Sequence, residues 1–339
     1  MARSVVGLDI GGANLKAAHV SGKACLQPFA LWRNPAGLPE ALRRLLRLLP
    51  PFDQLAVTMT GELCDCFATR REGVLAILDA VEAVAKITPT RIWLTTGRFA
   101  ALPEVRRDPL QAAAANWLAL AAYVGRFAPK GCALLVDIGS TTTDLVPLAE
   151  GKPIPRARVD SERLHSRELI YTGVRRTPVC ALLGADGAAE LFATTLDVYL
   201  TLAKLPDDET DRDTADGKPA TRAHAHARLA RMLCADVETT TDDERRNLAL
   251  RICHRQALLI RQGMDRVAQD LPSIPAAVIL SGSGEFLARA ALELPPDVPG
   301  RLAPLHNAIS LKERHTPEIS RAACAYALAV LASEAPDEF

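Results

Sequence analysis

ALLVDIGSTTTDLVPL, residues 133–148, begins as an uninterrupted apolar run. It breaks at Asp137, Ile138 and Gly139 into four consecutive hydroxyl side chains, then meets a second acid, Asp144, and a second apolar run. An apolar run of this length closed by a glycine turn reads as a buried strand, and the second run as the strand that follows it. VVGLDIGGANLKAAHV, residues 5–20, repeats the plan: Asp9 aligns with Asp137, Gly11 with Gly139, and Lys16 with Asp144. A duplicated strand–turn–strand unit in a chain of 339 residues, long enough for two domains, predicts two halves of similar architecture.

The segments between and after the copies alternate in period. Residues 38–49 carry apolar positions at helical spacing, 55–59 (LAVTM) read as a strand, 73–87 as a helix and 91–96 as another strand. Residues 109–125 (PLQAAAANWLALAAYVG) carry no charge, yet they fall short of the roughly 20 strongly apolar residues that span a bilayer, so they predict one buried helix rather than a membrane segment. In the second half, 245–270 read as one long helix and 276–292 as strand, glycine turn and helix. Strands alternating with helices give an α/β fold. The expected division is a first domain over 1–127, with a C-terminal helix 317–335 packing back on it, and a second over 128–316. The second carries a charged insertion around 205–232, in which the acidic, helix-breaking 206–219 reads by composition as a solvated loop.

Forty basic residues balance forty acidic ones without a long basic run, which argues against nucleic acid as a partner and for a small molecule. Eight scattered cysteines lack paired CxxC spacing and read as reduced, buried thiols, with Cys64 and Cys66 taken as two small side chains beside a turn. MARS runs straight into VVGLDI, which Asp9 interrupts too soon for a signal peptide, so the cytoplasm is the expected compartment.

Three loops carry the chemistry: GGANLK after Asp9, GSTTTD after Asp137, and SGSGEF at 281–286. Each follows a buried strand, placing backbone N–H groups at the carboxyl edge of a sheet, where α/β proteins bind ligands. Glycine lets the backbone approach an anion, and small hydroxyls add donors without bulk. The expected phosphate-binding set is Gly11, Gly12, Asn14, Gly139, Ser140, Thr141, Thr142, Gly282, Ser283 and Gly284. An aspartate among such donors repels phosphate unless a cation intervenes, so Asp9 and Asp137 are expected to hold Mg²⁺ largely through water. Lys16 is the expected fixed positive charge, and its replacement by Asp144 in the second copy makes the pair asymmetric.

DIGGANLK, DIGSTTTDL and LSGSGEF resemble the phosphate-1, phosphate-2 and adenosine loops of the actin, sugar-kinase and Hsp70 superfamily. The resemblance implies two ribonuclease-H-like, actin-like domains facing across a central cleft. Within it the chain is most similar to the hydantoinase/oxoprolinase branch, on GLDIGGANLK, MTGELCD (59–65), Asn116-Trp117, YTGVRRTP (171–178), LFATTLDVY (191–199) and DTADGKPAT (213–221). Inside that branch it resembles a group linked to tetrahydromethanopterin-dependent one-carbon metabolism and to the archaeal synthases of methanofuran biosynthesis. Those enzymes join an aminomethylfuran-methyl diphosphate to the phenol of γ-glutamyltyramine, forming an aryl ether and releasing pyrophosphate.

The resemblance implies a diphosphate substrate and a phenolic acceptor, tyrosine-like or tyramine-like, and leaves the oligomeric state open, a homodimer included. Catalytic roles then fall to Asp9, Lys16, Asp137, Asp144 and Arg176, and substrate contacts to Glu62, Arg175, Asp213 and Asp216, with Glu62 or Asp216 suited to the cationic aminomethyl group. The first loop departs from the GGTxTD of hydantoinases, which are much longer, and no stretch resembles a sugar-kinase or acetate-kinase acceptor motif. An ATP-dependent small-molecule kinase or hydantoinase-like ATPase, and a non-catalytic nucleotide sensor, are the alternatives.

Overall fold

The computed structural model describes residues 3–295, 302 and 308–336. Its first strand, β1 (Val5–Ile10), is buried along its whole length and forms the middle of a six-stranded sheet. The others are β2 (Asn14–His19), β3 (Ala24–Pro28), β4 (Gln54–Met59), β5 (Thr90–Trp93) and β6 (Phe99–Ala101), in the order β3-β2-β1-β4-β5-β6. β2 pairs antiparallel to β1 and β3 to β2, whereas β4 runs parallel to β1 and β5 parallel to β4.

Alternation along β1 sends Val6, Leu8 and Ile10 into one core, with Leu15, Val57, Met59 and the apolar faces of helices Leu38–Leu46 and Arg70–Ala85. Gly7 lies on the opposite face. A Cβ there would sit 1.9 Å from the carbonyl oxygen of Ala325, so glycine is what lets the C-terminal helix Ala323–Glu334 lie directly on the sheet.

The second sheet repeats the plan with β7 (Cys132–Ile138), β8 (Thr143–Ala149), β9 (Lys152–Pro153), β10 (Leu169–Ile170), β11 (Ala277–Ser281) and β12 (Ala308–Ser310). Its order is β10-β8-β7-β11-β12, with β9 also pairing β8. The first strand of each copy is thus flanked by its own hairpin partner on one side and a later strand on the other. The fold is α/β with two sheets. The helix Asp242–Gln269 opens with a capping box in which Thr241 and Glu244 satisfy each other's backbone N–H groups. It crosses Leu145 and Ile170 at Gly263, where a Cβ would come within 2.8 Å of both side chains.

The described residues fall into two units, drawn from Met1–Leu135, Val146–Arg163 and Ile309–Phe339 on the one hand and Val136–Leu145 and Leu164–Ala308 on the other. Strands β7 and β8 contribute to both.

The structure departs from the sequence reading in several places, and the C-terminal helix expected over 317–335 is two, Pro317–Arg321 and Ala323–Glu334. Residues 109–125 are not one helix: Pro109–Ala112 form a 3₁₀ turn, Ala114 takes a positive φ, and the helix proper is Asn116–Val124. The sheet edge causes the break, because Ala113 bridges Met59 and the Gln111 carbonyl accepts from Thr95 N–H. The insertion is less free than its composition suggests, since Asp208, Asp211 and Asp216 all hold hydrogen bonds and 222–232 form a helix. The eight cysteines are free thiols, but only Cys132 and Cys324 are buried and Cys234 is exposed. No described helix is long and apolar enough to cross a membrane.

Candidate functional site

In the first unit, Gly11 N–H donates to Asn14 O at 3.0 Å and closes the turn after β1. Register places Asp9 opposite Lys16 on β2 and opposite Thr58 on β4, so the three side chains share a face of the sheet. Lys16 Nζ stands 3.7 Å from Asp9 Oδ2. Asp9 Oδ1 and Thr58 Oγ1 are buried with no hydrogen-bond partner among the described residues. Burial pushes the Asp9 carboxyl above the usual carboxylate range, and Lys16 pulls it back.

Two neighbouring buried oxygens without partners are costly unless something outside the chain satisfies them. A hydrated hard cation fits this donor chemistry, and because no described group of three or more His, Cys, Asp or Glu could hold a metal, such a cation would keep much of its own water.

The turn after β4 lies against the turn after β1. Thr60 and Gly61 N–H both donate to Ile10 O, a Cβ on Gly61 would be 3.2 Å from the Gly11 carbonyl carbon, and one on Gly12 would be 2.7 Å from Cys64 Sγ. Glu62 follows at once and is 1% exposed. Its Oε1 accepts from Arg70 Nε at 3.0 Å while Oε2 has no partner among the described residues. Burial raises the Glu62 carboxyl above its ordinary range against the pull of Arg70. Arg70 also donates to Asp160 at 2.6 Å, and the buried Arg163 lies 3.9 Å from Asp160 with its guanidinium 3.8 Å from the centre of the Trp117 ring.

In the second unit, Gly139 N–H donates to Thr142 O at 2.9 Å, closing the hydroxyl loop as Gly11 closes the first. Asp137 is half-buried at the end of β7. The turn Gly282–Gly284 lies against that end: Gly284 N–H donates to Ile138 O at 2.9 Å, and a Cβ on Gly282 would be 2.7 Å from Asp137 Oδ1. Gly282 has φ +84°, which suits a residue without a side chain. Asp144 is buried on β8 opposite Leu169.

Thr172–Arg176 lie behind the loop, with Arg175 and Arg176 N–H both donating to Ser140 O. The Arg175 side chain is committed to Asp211 at 2.6 Å, and that of Arg176 is exposed.

Over residues 53–295 the chain matches the hydantoinase/oxoprolinase family. It belongs to that family. It is 32% identical over 345 residues to the (4-{4-[2-(γ-L-glutamylamino)ethyl]phenoxymethyl}furan-2-yl)methanamine synthase of Methanocaldococcus jannaschii, covering 98% of this chain and 99% of that protein. The synthase of the same name from Methanococcus vannielii is 32% identical over 220 residues, 62% of this chain and 95% of that protein. Among solved structures, the PilM–PilN type IV pilus biogenesis complex matches with a TM-score of 0.50 at 13% identity, covering 99% of this chain and all of that one, a likeness of fold alone.

Within this hydantoinase/oxoprolinase chain, the first unit gathers Asp9, Gly11, Gly12, Asn14 and Lys16 with Glu62 beside them. The second gathers Asp137, Gly139, Ser140, Thr141 and Thr142 with Gly282, Ser283 and Gly284, and ties Arg175 and Arg176 to them through the backbone. Among the described residues, no hydrogen bond or ion pair joins Asp213 or Asp216 to the loop. Asp213 is exposed and its N–H caps Asp211, while Asp216 accepts from Arg228 at 2.9 Å and from Arg231 at 3.4 Å. The acid that meets Arg175 is Asp211. Sequence reasoning also missed Thr58, which only strand register sets beside Asp9, and Arg70 with Asp160, which only folding sets beside Glu62.

Proposed function

We propose that the protein is a transferase of methanofuran-type cofactor biosynthesis, condensing an aminomethylfuran-methyl diphosphate with the phenol of a γ-glutamyltyramine- or tyrosine-like acceptor. The bond between the furanylmethyl carbon and the diphosphate oxygen breaks, the phenol oxygen bonds to that carbon, pyrophosphate leaves and the phenol proton goes to a base. The end-to-end relationship to a synthase named for a phenoxymethylfuran methanamine carries this reading. The loop chemistry agrees with it. Main-chain amides and hydroxyls of 140–142 and the amides of Gly282 and Ser283 are suited to a diphosphate leaving group, the Gly139 and Gly284 amides being used to close the turns themselves, and donors placed before reaction are worth more than ones that must reorganise.

Asp137, beside the hydroxyl loop of its own unit, and Asp9, with a Thr58 hydroxyl in its unit that has no partner among the described residues, are each suited to Mg²⁺, which when bound would neutralise charge on the diphosphate. Lys16 would supply a second positive charge. Glu62, with one oxygen held by Arg70 and the other without a partner among the described residues, would take the aminomethyl ammonium, a buried carboxylate being well compensated by a cation that it hydrogen-bonds. A phenol of pKa about 10 needs help to lose its proton, and Arg176, tethered to Ser140 by its backbone, is suited to stabilising the phenolate.

The test is incubation of the purified protein with Mg²⁺ and either ATP or a furanylmethyl diphosphate plus a phenolic amine. Pyrophosphate release that requires the phenol is expected, and EDTA should abolish it. Formation of ADP without ether would overturn the reading in favour of a kinase or ATPase. Tight nucleotide binding without turnover would overturn it in favour of a sensor.

A further inference from the structure

The hydroxyl loop rests on a second layer of chain, and that layer is held by polar side chains that do not reach the loop's own donors. Gly173 is in contact with the back of the loop: a Cβ on it would lie 2.5 Å from Thr141 N and 2.6 Å from Gly139 O. Val174 N–H donates to Gly139 O at 3.0 Å, and the next two N–H groups donate to Ser140 O. Three main-chain hydrogen bonds and one close backbone approach therefore couple the loop to its backing segment.

The carbonyl of Gly173 is in turn fixed from three directions. Thr195 Oγ1 donates to it at 2.8 Å, Gln256 Nε2 at 2.9 Å and Thr177 Oγ1 at 3.3 Å. Gln256 Nε2 also donates to Thr172 Oγ1 at 2.8 Å, and its Oε1 accepts from the Tyr199 hydroxyl. Gln256, Thr195 and Tyr199 are fully buried.

A carbonyl oxygen has two lone pairs, so three donors exceed what satisfying it requires. Apolar side chains would fill the same volume without the desolvation of five polar groups. A fully satisfied polar network has one geometry, which apolar packing does not impose. Its members arrive from three separate elements: Thr177 from the backing segment, Thr195 from the first turn of helix Thr195–Thr201, and Gln256 from the middle of the long helix.

We infer that Thr195, Gln256 and Thr177 are positioning residues that set the spacing of the Ser140–Thr142 donors for the diphosphate, acting through Gly173 without touching the substrate. This rests on the diphosphate reading of the loop. Misplacing such donors weakens them steeply, because hydrogen bonds and transition-state contacts tolerate only about 0.5 Å.

Three variants of the full chain test it: Thr195→Val removes one donor without changing shape, Thr195→Ser keeps the donor, and Gly173→Ala leaves every polar group but drives a methyl into Thr141 N. Two readouts are combined, calorimetric titration with inorganic pyrophosphate in MgCl₂ and amide exchange at Val174, Arg175 and Arg176. Thr195→Val and Gly173→Ala should each weaken pyrophosphate binding by about tenfold, a loss of one good contact, and speed exchange at those amides, while Thr195→Ser stays near the unsubstituted protein. Unchanged exchange in folded Thr195→Val and Gly173→Ala overturns the inference, whatever binds. Faster exchange in both variants, with no pyrophosphate binding to the unsubstituted protein, sustains the positioning role and sinks the diphosphate reading instead.

Discussion

Replacing Glu62 by glutamine should make the protein more stable and a worse catalyst, and the structure gives the size of both effects. Glu62 is 1% exposed, one carboxylate oxygen bonded to Arg70 and the other without a partner among the described residues. An ionised buried oxygen without a partner sits at the upper end of the roughly 1–3 kcal/mol range for such groups and an amide at the lower end, so glutamine gains about 2 kcal/mol. The bond to Arg70 loses its charge assistance, about 1 kcal/mol. Arg70 keeps Asp160 at 2.6 Å, so no buried charge is stranded.

The net is about 1 kcal/mol in favour of glutamine, or about 2 °C in Tm. Burial raises the folded-state pKa of Glu62 above its ordinary 4.5. Between those two values the native state binds more protons than the unfolded chain, so stability falls as pH rises through that window, and the advantage of glutamine should be present at pH 7 and vanish below pH 4.5.

Catalysis should move oppositely. Losing a charged contact to the aminomethyl group removes about 1.5–3 kcal/mol, at least about tenfold in kcat/KM. A substrate analogue without the aminomethyl group should be used equally well by both proteins. Scanning calorimetry across pH and steady-state kinetics with the two substrates decide it. A glutamine variant that is less stable at pH 7, or that loses the same factor on the analogue, refutes the reasoning.

Asp137→Asn should fold, by circular dichroism and thermal melting, and show no measurable turnover; normal activity would remove Asp137 from the chemistry. Gly7→Ala should cost about 3 kcal/mol in urea unfolding, because its methyl would overlap the Ala325 carbonyl oxygen and a helix backbone cannot yield as a flexible side chain can. Arg228→Ala should cost about 3–5 kcal/mol by the same assay, since it leaves the fully buried Asp197, which it contacts at 2.7 Å, uncompensated.

Legibility in the sequence followed the range of the interactions. β1, β4, β7 and β11, the hairpin turns and the long helix Asp242–Gln269 were readable because apolar period, glycine turns and caps are encoded within a few residues. The break at Ala114 was not, because its cause is a bridge to Met59, far away in the chain. The strands β6, β9 and β10 are only two or three residues long and β3 is partly polar, and pairing rather than propensity makes them strands. Asp213 and Asp216 drew notice as acids in a charged insertion, yet composition could not tell that Arg228 holds one of them or that Asp211 is the acid facing Arg175.

By itself the sequence determined the repeated strand–turn–strand units, the three glycine loops and the family. Each of these is written in contiguous residues whose local conformation depends on little else. Only the tertiary structure decided which groups face one another. Strand register set Thr58 and Lys16 beside Asp9, a helix brought Arg70 to Glu62, and two helices and a backing segment converged on the Gly173 carbonyl. Those pairings depend on burial and on the low dielectric that burial creates, which exist only after distant segments have excluded water together.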